Sequence, residues 1–298
     1  MTTGSISPAV GASGFAGRRR RRPGLLRRAV RFRRVKIGLA LVTVVVTIAV
    51  LGPSIAPHGA TEYVGRPNTT GVAEAAFGTD HLGQDVWSRF LLGGRTILVI
   101  ASLATVIGVV IGAVAGALAA QSRGWVDEAV MRVVDVLLAV PPILLALVAM
   151  TTVGPEPRLI IASVALVTAP RVARVSHGAA AVVVERDYVE ASECIGESRW
   201  HVARVDVMPN ISGVLLVELG IRLTYAIAIV TSLAFLGFAP DANAANWGLM
   251  VQQNRGAFAV QPWAVVLPTV AIVAATLGTG LITDGIARAV SGAGGVDQ

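Results

Sequence analysis

Residues Tyr188 to Asn210, YVEASECIGESRWHVARVDVMPN, form a charged stretch inside an otherwise apolar chain. Residues Asp187–Ile195 mostly permit a helix, and Gly196 interrupts them at a cost of roughly 1 kcal/mol relative to alanine in a helix interior. A second helical run, Glu197–Val207, follows, and Pro209 is expected to end it because proline lacks the N–H group and clashes with the preceding turn. The pattern predicts a helix, a glycine joint and a second helix. On composition alone it could equally be an ordinary cytoplasmic loop with a solvated, charged face.

The composition around this stretch indicates a membrane protein. The chain has 298 residues, of which 54% are hydrophobic and only 14% are charged. Such a chain is too apolar for a soluble globule and is typical of a polytopic helical membrane protein. Cys194 is the only cysteine, so no intramolecular disulfide can form, and its place in the charged stretch fits a reduced cytoplasmic location.

The net charge of +7 comes from the N-terminal arm. Residues 1–36 contain ten arginines and Lys36 without any acidic residue, so the rest of the chain is net acidic. Basic residues directly before an apolar segment fix the cytoplasmic side and contact anionic membrane lipids. We expect a disordered cytoplasmic arm here. Nucleic-acid binding is not expected, because no folded nucleic-acid reader accompanies the arm.

Hydropathy predicts an all-α polytopic membrane protein with six transmembrane helices. An uncharged run of about 20 residues is long enough to cross a bilayer. The predicted order is a first transmembrane helix at 37–57, an external amphipathic segment at 58–94, a five-helix core at 95–290 with a cytoplasmic loop at 183–210, and a cytoplasmic tail at 291–298. Within the core, the second span is expected at Thr96–Ser122 and the fifth from about Gly213 to Gly237. Glu218 and Arg222 lie one turn apart on the fifth span and are expected to pair near the inner leaflet. The expected orientation places the N- and C-termini in the cytoplasm.

Two of the predicted spans are irregular. The third, from about Met131 to Val153, contains Pro141 and Pro142, which are expected to kink it. The fourth has only twelve uncharged residues, Leu159–Pro170, and by itself could be re-entrant. The topology favours a crossing that continues past Pro170, with the arginines that follow snorkelling to the cytoplasmic interface.

Particular residues in the core carry further expectations. Gly108, Gly112 and Gly116 recur every four residues, so they lie on one helical face and predict close packing against a neighbouring helix. Asp135 is ionisable and lies within a predicted span, where such a residue is a functional candidate by default. Its position three residues after Arg132 favours a local pair near the inner end of the helix.

The opening stretch resembles the coupling loop of permease subunits in ATP-binding-cassette (ABC) importers. That pattern is Glu-Ala-Ala, three residues, Gly, then a short stretch ending in an aliphatic residue and Pro. The residues on that spacing are Glu190, Ala191, Ser192, Gly196, Met208, Pro209 and Asn210. Ser192 replaces the third small residue, and Asp206 stands where the pattern has an aliphatic residue.

A second stretch narrows the resemblance to one branch of these importers. Residues Phe77–Leu98, FGTDHLGQDVWSRFLLGGRTIL, resemble a segment of the dipeptide and oligopeptide permeases, with the nickel permeases close by. Gln84 stands where that branch usually has Arg. The same residues also fit an amphipathic segment lying on the outer membrane face.

The resemblance implies a type I importer permease fold in a bacterial inner membrane. It implies a complex with two ATP-binding subunits, a second homologous permease subunit and an external solute-binding protein, with ATP and Mg bound by the partner subunits and no cofactor in this chain. Within the coupling loop, Glu190 would anchor the loop in the ATPase, Gly196 would form its joint and Pro209 would fix where the next helix starts. Arg132 and Asp135 would belong to the inner gate. Di- or oligopeptides are the expected cargo, with nickel or another small solute as the alternative.

Other classes of function find little support in the sequence. A phosphate-binding loop needs a lysine in a glycine-rich motif, and the only lysine is Lys36. The four histidines show no metal-ligand spacing, and no catalytic motif accompanies them. An ion-coupled secondary transporter would be expected to carry charges at mid-membrane, and no ionisable group is expected deep in a span. A membrane scaffold that binds only lipid or partners is the remaining alternative.

Overall fold

Helices make up most of the computed structural model, which describes residues 32–122, 124–241 and 243–294. Its α-helices are α1 (Arg33–Ile55), α2 (Val86–Ser122), α3 (Trp125–Ala139), α4 (Pro142–Val153), α5 (Pro157–Val184), α6 (Asp187–Cys194), α7 (Arg199–Val202), α8 (Met208–Phe235), α9 (Trp247–Asn254) and α10 (Trp263–Gly294). No β-strand occurs in these residues; only isolated bridges occur, in the segment before α2. The predicted all-α fold is confirmed.

Five helical rods are long and apolar enough to cross a membrane: α1, α2, α5, α10 and the run from Arg199 to Phe235 that ends in α8. The sixth candidate span is the pair α3 and α4, which bend by 79° at Val140 and Pro141. Two consecutive prolines remove two backbone N–H donors, so the helix stops and restarts there instead of kinking. The third span is therefore broken in two.

The helix ends differ from the predicted boundaries. Helix α1 begins at Arg33 rather than Ile37, α2 begins at Val86 rather than near Thr96, and α10 continues to Gly294. Helix α5 runs without a break through Pro170. The expectation of a disordered arm falls mostly on residues 1–31, which lie outside the described part of the chain.

The predicted helix end at Pro209 is wrong. Residues Ala203–Val207 form one turn of π-helix, and the chain passes directly from α7 through this turn into α8. Pro209 is tolerated because it occupies the first turn of α8, after the wider turn, where its missing N–H is not needed by a regular α-helical bond. The fifth span consequently starts at Arg199, well before the predicted Gly213.

Helices α2 and α5 form the closest packed pair in the described structure. Gly108 lies against Thr168, Gly112 against the Ala169 carbonyl and Gly116 against the Ala173 carbonyl. A β-carbon at any of the three would overlap atoms of α5, so glycine is what lets the two backbones approach. Helix α10 packs between α1 and α8 on another side of the bundle.

The largest buried cluster joins residues of α1, α2, α4, α5, α8, α9 and α10. Part of it lies near the end of the bundle where segment 56–85, here called the cap segment, leads into α2. Trp247 is 1% exposed and donates its indole N–H to the Phe90 carbonyl at 2.8 Å. Its ring lies over Gly94, which leaves room for the indole, and stacks beside Phe90 with ring centroids 5.8 Å apart. This end of the bundle is called the cap end below.

Candidate functional site: the corner between α6 and α7

A compact corner at the opposite end of the bundle contains most of the predicted coupling residues. Helix α6 ends in a hydrogen-bonded cap: Gly196 N–H donates to the Glu193 carbonyl at 3.0 Å, and Glu197 N–H donates to the Ser192 carbonyl at 3.2 Å. Gly196 has φ +87°, a left-handed conformation that costs L-residues with side chains about 1–2 kcal/mol. Ser198 then caps α7 by accepting from His201 N–H at 3.2 Å. These local hydrogen bonds fix the reversal of chain direction between α6 and α7.

Two valines attach this corner to the bundle. Val189 and Val202 are fully buried in a cluster with residues from the ends of α2, α5 and α8 and from the π-helical turn before α8, namely Ala117, Ala180, Val183, Val184, Val207 and Ile211. Both helices of the corner are therefore packed directly against the long spanning helices.

The outward face of the corner combines acidic and large apolar side chains. Glu190, Glu193 and Glu197 are exposed, and Ile195 and Trp200 are 78% and 55% exposed. Ile195 lies at the turn itself, whereas Trp200 lies beside Val114 and Leu118 of α2. Sequence reasoning did not select Ile195 or Trp200, although a tryptophan within a charged helix was a usable signal.

The predicted coupling residues do not all share this face. Glu190, Ala191 and Gly196 are exposed on it, and Ser192 is partly covered and donates to the Tyr188 carbonyl at 3.1 Å. The other two predicted residues, Met208 and Pro209, lie beyond the corner, in the first turn of α8. Met208 is partly buried against the α2 side of the bundle, whereas Pro209 is exposed.

The predicted inner-gate pair between Arg132 and Asp135 is wrong. Arg132 instead bonds Glu128 at 3.3 Å one turn earlier on α3, and Asp135 pairs with Arg174 of α5. Residues three apart on a helix can meet, but here the rotation of α3 turns Asp135 toward its neighbour. A second contact, His177 to Asp127 at 2.8 Å, joins the same two helices.

Ionisable side chains also lie near the middle of two long helices. On α8, Glu218 accepts from Arg222 at 2.8 Å, and both side chains are largely buried. The sequence predicted that these two residues pair, and this is confirmed. On α5, Arg171 lies about 20 Å from either helix end, given a rise of 1.5 Å per residue. These are distances along the helices, so the expectation that no ionisable group lies deep in a span stays a prediction.

A buried polar cluster holds the cap segment to the bundle. Asp80, which is 0% exposed, pairs with Arg89, which is 1% exposed, and also accepts from the backbone N–H groups of Leu82 and Gln84 at 2.9 Å. Gln261, 0% exposed, donates to the Phe77 carbonyl at 2.8 Å. Asp80 and Arg89 belong to the stretch that carries the second sequence resemblance, and together with Gln261 they fix the cap segment in this structure.

Asp85 caps the start of α2 within the same cluster. Its carboxylate accepts from Ser88 N–H at 3.0 Å, and Ser88 in turn accepts from His58 N–H at 3.0 Å. The N-terminal turn of a helix has unpaired N–H groups, and a carboxylate satisfies them with favourable charge. Across the described residues, no group of three or more His, Cys, Asp or Glu side chains is arranged to hold a metal ion.

A bundle of helices long and apolar enough to cross a membrane, with a packed, exposed corner at one end, is the architecture of a multi-pass membrane protein. Residues 108–292 match the family model described as binding-protein-dependent transport system inner membrane component. The chain belongs to this family of multi-pass inner membrane proteins.

Individual relatives agree with this assignment. The chain is 36% identical over 269 residues to a putative peptide transport system permease protein of Brucella abortus, covering 87% of this chain and 88% of the relative. It is 32% identical over 265 residues to the glutathione transport system permease protein GsiD of Shigella flexneri, with the same coverage. Among solved structures, an inward-facing form of the MetNI methionine ABC transporter matches with a TM-score of 0.53 and 19% identity, covering 65% of this chain and 93% of the other. That last similarity establishes the fold, an ABC importer permease fold.

Proposed function

We propose that this chain is the permease subunit of an ATP-driven importer of peptides. The observation that carries the proposal is the corner of α6, Gly196 and α7, which offers a rigid, exposed face of mixed acidic and apolar character and is packed on three spans. Family membership supports a transport role. The two relatives named for peptide and glutathione transport favour a peptide cargo over nickel or another small solute.

The complex we propose contains two ATP-binding subunits, a second permease subunit and a solute-binding protein. The corner docks on an ATP-binding subunit, with Glu190 as a polar anchor and Ile195 and Trp200 as the apolar contacts. ATP and Mg are bound by those partners and not by this chain. The corner and both termini then face the cytoplasm, while the cap segment faces the solute-binding protein. Nucleotide-driven closure shifts the bundle between two packings.

Substitutions at Gly196 and Glu190 test the docking role. Gly196→Pro is incompatible with φ +87°, because the proline ring fixes φ near −65°, so the reversal between α6 and α7 is lost. We expect this variant, and Glu190→Ala, to insert in the membrane normally but to lose at least about tenfold in peptide uptake, with ATP hydrolysis no longer stimulated by the loaded binding protein.

The measurement uses the purified complex in proteoliposomes, with labelled trialanine as the cargo. Gly178→Ala is the matched control, because Gly178 lies within α5 with open space around it and a β-carbon there meets nothing. Unchanged uptake in both corner variants would remove the docking assignment. A purified complex that lacks ATP-binding subunits would contradict the proposal as a whole.

A further inference from the structure

The break between α3 and α4 opens a cleft beside the middle of two spanning helices. The cleft measures about 490 Å³ and is lined by Pro141 and Ile143 at the break, by Arg171 of α5, and by Arg222, Tyr225 and Ile229 of α8. Apart from the two arginines and the tyrosine hydroxyl, these side chains are apolar. Clefts of this size with a few convergent polar groups are the usual form of a small-molecule site.

One of the two arginines that line the cleft has no negatively charged partner among the described residues. Arg222 is compensated by Glu218 at 2.8 Å on the same helix, and its guanidinium lies 5.9 Å from the centre of the Tyr225 ring. Arg171 makes only a long contact, 3.5 Å, to the Val167 carbonyl of its own helix. Among the described residues, no carboxylate lies within salt-bridge distance of Arg171.

An uncompensated guanidinium in the middle of a spanning helix is costly in a membrane protein. Charged groups inside spans face a protein interior or an aqueous pathway, pair with an opposite charge, and mark the route of a ligand. Three residues further along α5, Arg174 has such a partner in Asp135. The difference between these neighbouring arginines indicates that the partner of Arg171 comes from outside the described chain.

The break between helices α3 and α4 adds a second feature that attracts a negatively charged group. Ile143 belongs to the first turn of α4, whose N-cap residue Pro141 offers no side-chain cap. The first N–H groups of a helix have no partners within it and carry a partial positive charge. Because Ile143 and Arg171 line the same cleft, both features favour an anion in one place.

We propose that this cleft binds the carboxylate of the transported peptide, with Arg171 as its principal partner and the Arg222–Tyr225 pair as the second wall. A carboxylate is the chemistry that a planar guanidinium recognises best, through two parallel hydrogen bonds. Every peptide with a free C-terminus carries one, so the site accepts peptides of different side chains. The inference rests on the proposed peptide-import function and assigns specificity within the membrane to named residues.

The first test measures anion attraction and needs no transport. In the complex carrying Cys194→Ser and Ile229→Cys, the rates of reaction with an anionic and a cationic methanethiosulfonate reagent are compared. We expect the anionic-to-cationic rate ratio to fall at least about fivefold when Arg171→Gln is added, and to be retained with Arg171→Lys. Arg158→Gln, an exposed arginine at the far end of α5, is the matched control and should leave the ratio unchanged.

The second test measures uptake of labelled trialanine by the complex with its native Cys194. Vesicles of phosphatidylcholine alone are used, so that no anionic lipid can occupy the cleft. Arg171→Gln should reduce uptake about tenfold and Arg171→Lys much less, while binding of trialanine to the solute-binding protein stays the same.

The possible results separate the two proposals. If Arg171→Gln leaves the reagent ratio unchanged, or lowers it without reducing trialanine uptake, the carboxylate site is overturned and the importer assignment stands. If the parent complex imports no trialanine although it hydrolyses ATP with its partners, the peptide-import function itself is contradicted. A fall in both the ratio and uptake, with retention in Arg171→Lys, supports the site.

Discussion

Asp80 and Arg89 form the most deeply buried ion pair in the described structure, with side chains 0% and 1% exposed. A buried pair of this kind contributes little when intact, because desolvation offsets the attraction, but removal of one partner leaves a buried charge at a cost of roughly 3–5 kcal/mol. The pair therefore makes the cap segment sensitive to single substitutions.

We expect Asp80→Ala to lower the apparent melting temperature of the purified complex by on the order of 10 °C, because it leaves Arg89 buried without a counter-charge. Size-exclusion chromatography after heating measures this. Glu128→Ala is the control, since Glu128 and Arg132 form a pair whose side chains are both 74% exposed and contribute little. Equal melting temperatures for Asp80→Ala and the parent would contradict the buried-charge argument.

Individual side-chain partners were the part of the structure that the sequence predicted least well. Glu218 and Arg222 were predicted correctly because both lie on one helix, one turn apart. Asp135 was paired with the wrong arginine because its true partner lies on another helix, and helix rotation cannot be read from spacing along the chain. Gln261 was missed for the same reason: its partners, the carbonyls of Phe77 and Thr79, are far away in sequence.

At the scale of elements, the contact of α2 with α5 depends on three glycines. Where a glycine faces backbone atoms, the neighbouring helix can relieve an overlap only by moving as a whole. Gly112 faces the Ala169 carbonyl and the backbone nitrogen of Ala173.

Gly112→Val is expected to separate α2 from α5 and to destabilise the bundle by about 1–3 kcal/mol or more. The readout is the yield of monodisperse protein after detergent extraction and its melting temperature. Gly280→Ala in α10 is the control, because nothing lies within contact of a β-carbon at that position. A Gly112→Val protein as stable as the control would show that the two helices do not need this close approach.

The sequence predicted which helices exist more accurately than it predicted where those helices begin, end or join. Long apolar runs predicted the spans, and Gly196 was recognised as a joint because glycine disfavours a helix interior; its left-handed conformation became visible only in the structure. Pro209 was taken as a helix end, yet the π-turn Ala203–Val207 lets the helix continue. Proline chemistry alone cannot distinguish these cases, since the outcome depends on how the flanking valines Val202 and Val207 pack on the bundle.

At the scale of the whole molecule, the proposed orientation can be tested with the single native cysteine. Cys194 is exposed on the corner, at the opposite end of the bundle from the cap segment. A membrane-impermeant maleimide should label it in inside-out vesicles but not in intact spheroplasts, and bound ATP-binding subunits should slow the reaction.

The matched control replaces Cys194 by serine and places the cysteine at an exposed position of the cap segment, as Glu62→Cys. That variant should show the reverse pattern, with labelling in intact spheroplasts. Labelling of native Cys194 from outside would invert the proposed topology and remove the corner from the cytoplasm.

The run from Arg199 through the π-turn to Phe235 joins the two ends of the molecule without a loop. Its 37 residues span about 55 Å at 1.5 Å per residue, and Arg222 lies along it. We expect this continuous helix to act as a lever: a tilt at Trp200 would move the wall of the Arg171 cleft and the far end beside Trp247 together. In the proposed importer, release of the cargo and movement at the membrane surface would then result from one displacement, without a separate signal to coordinate them.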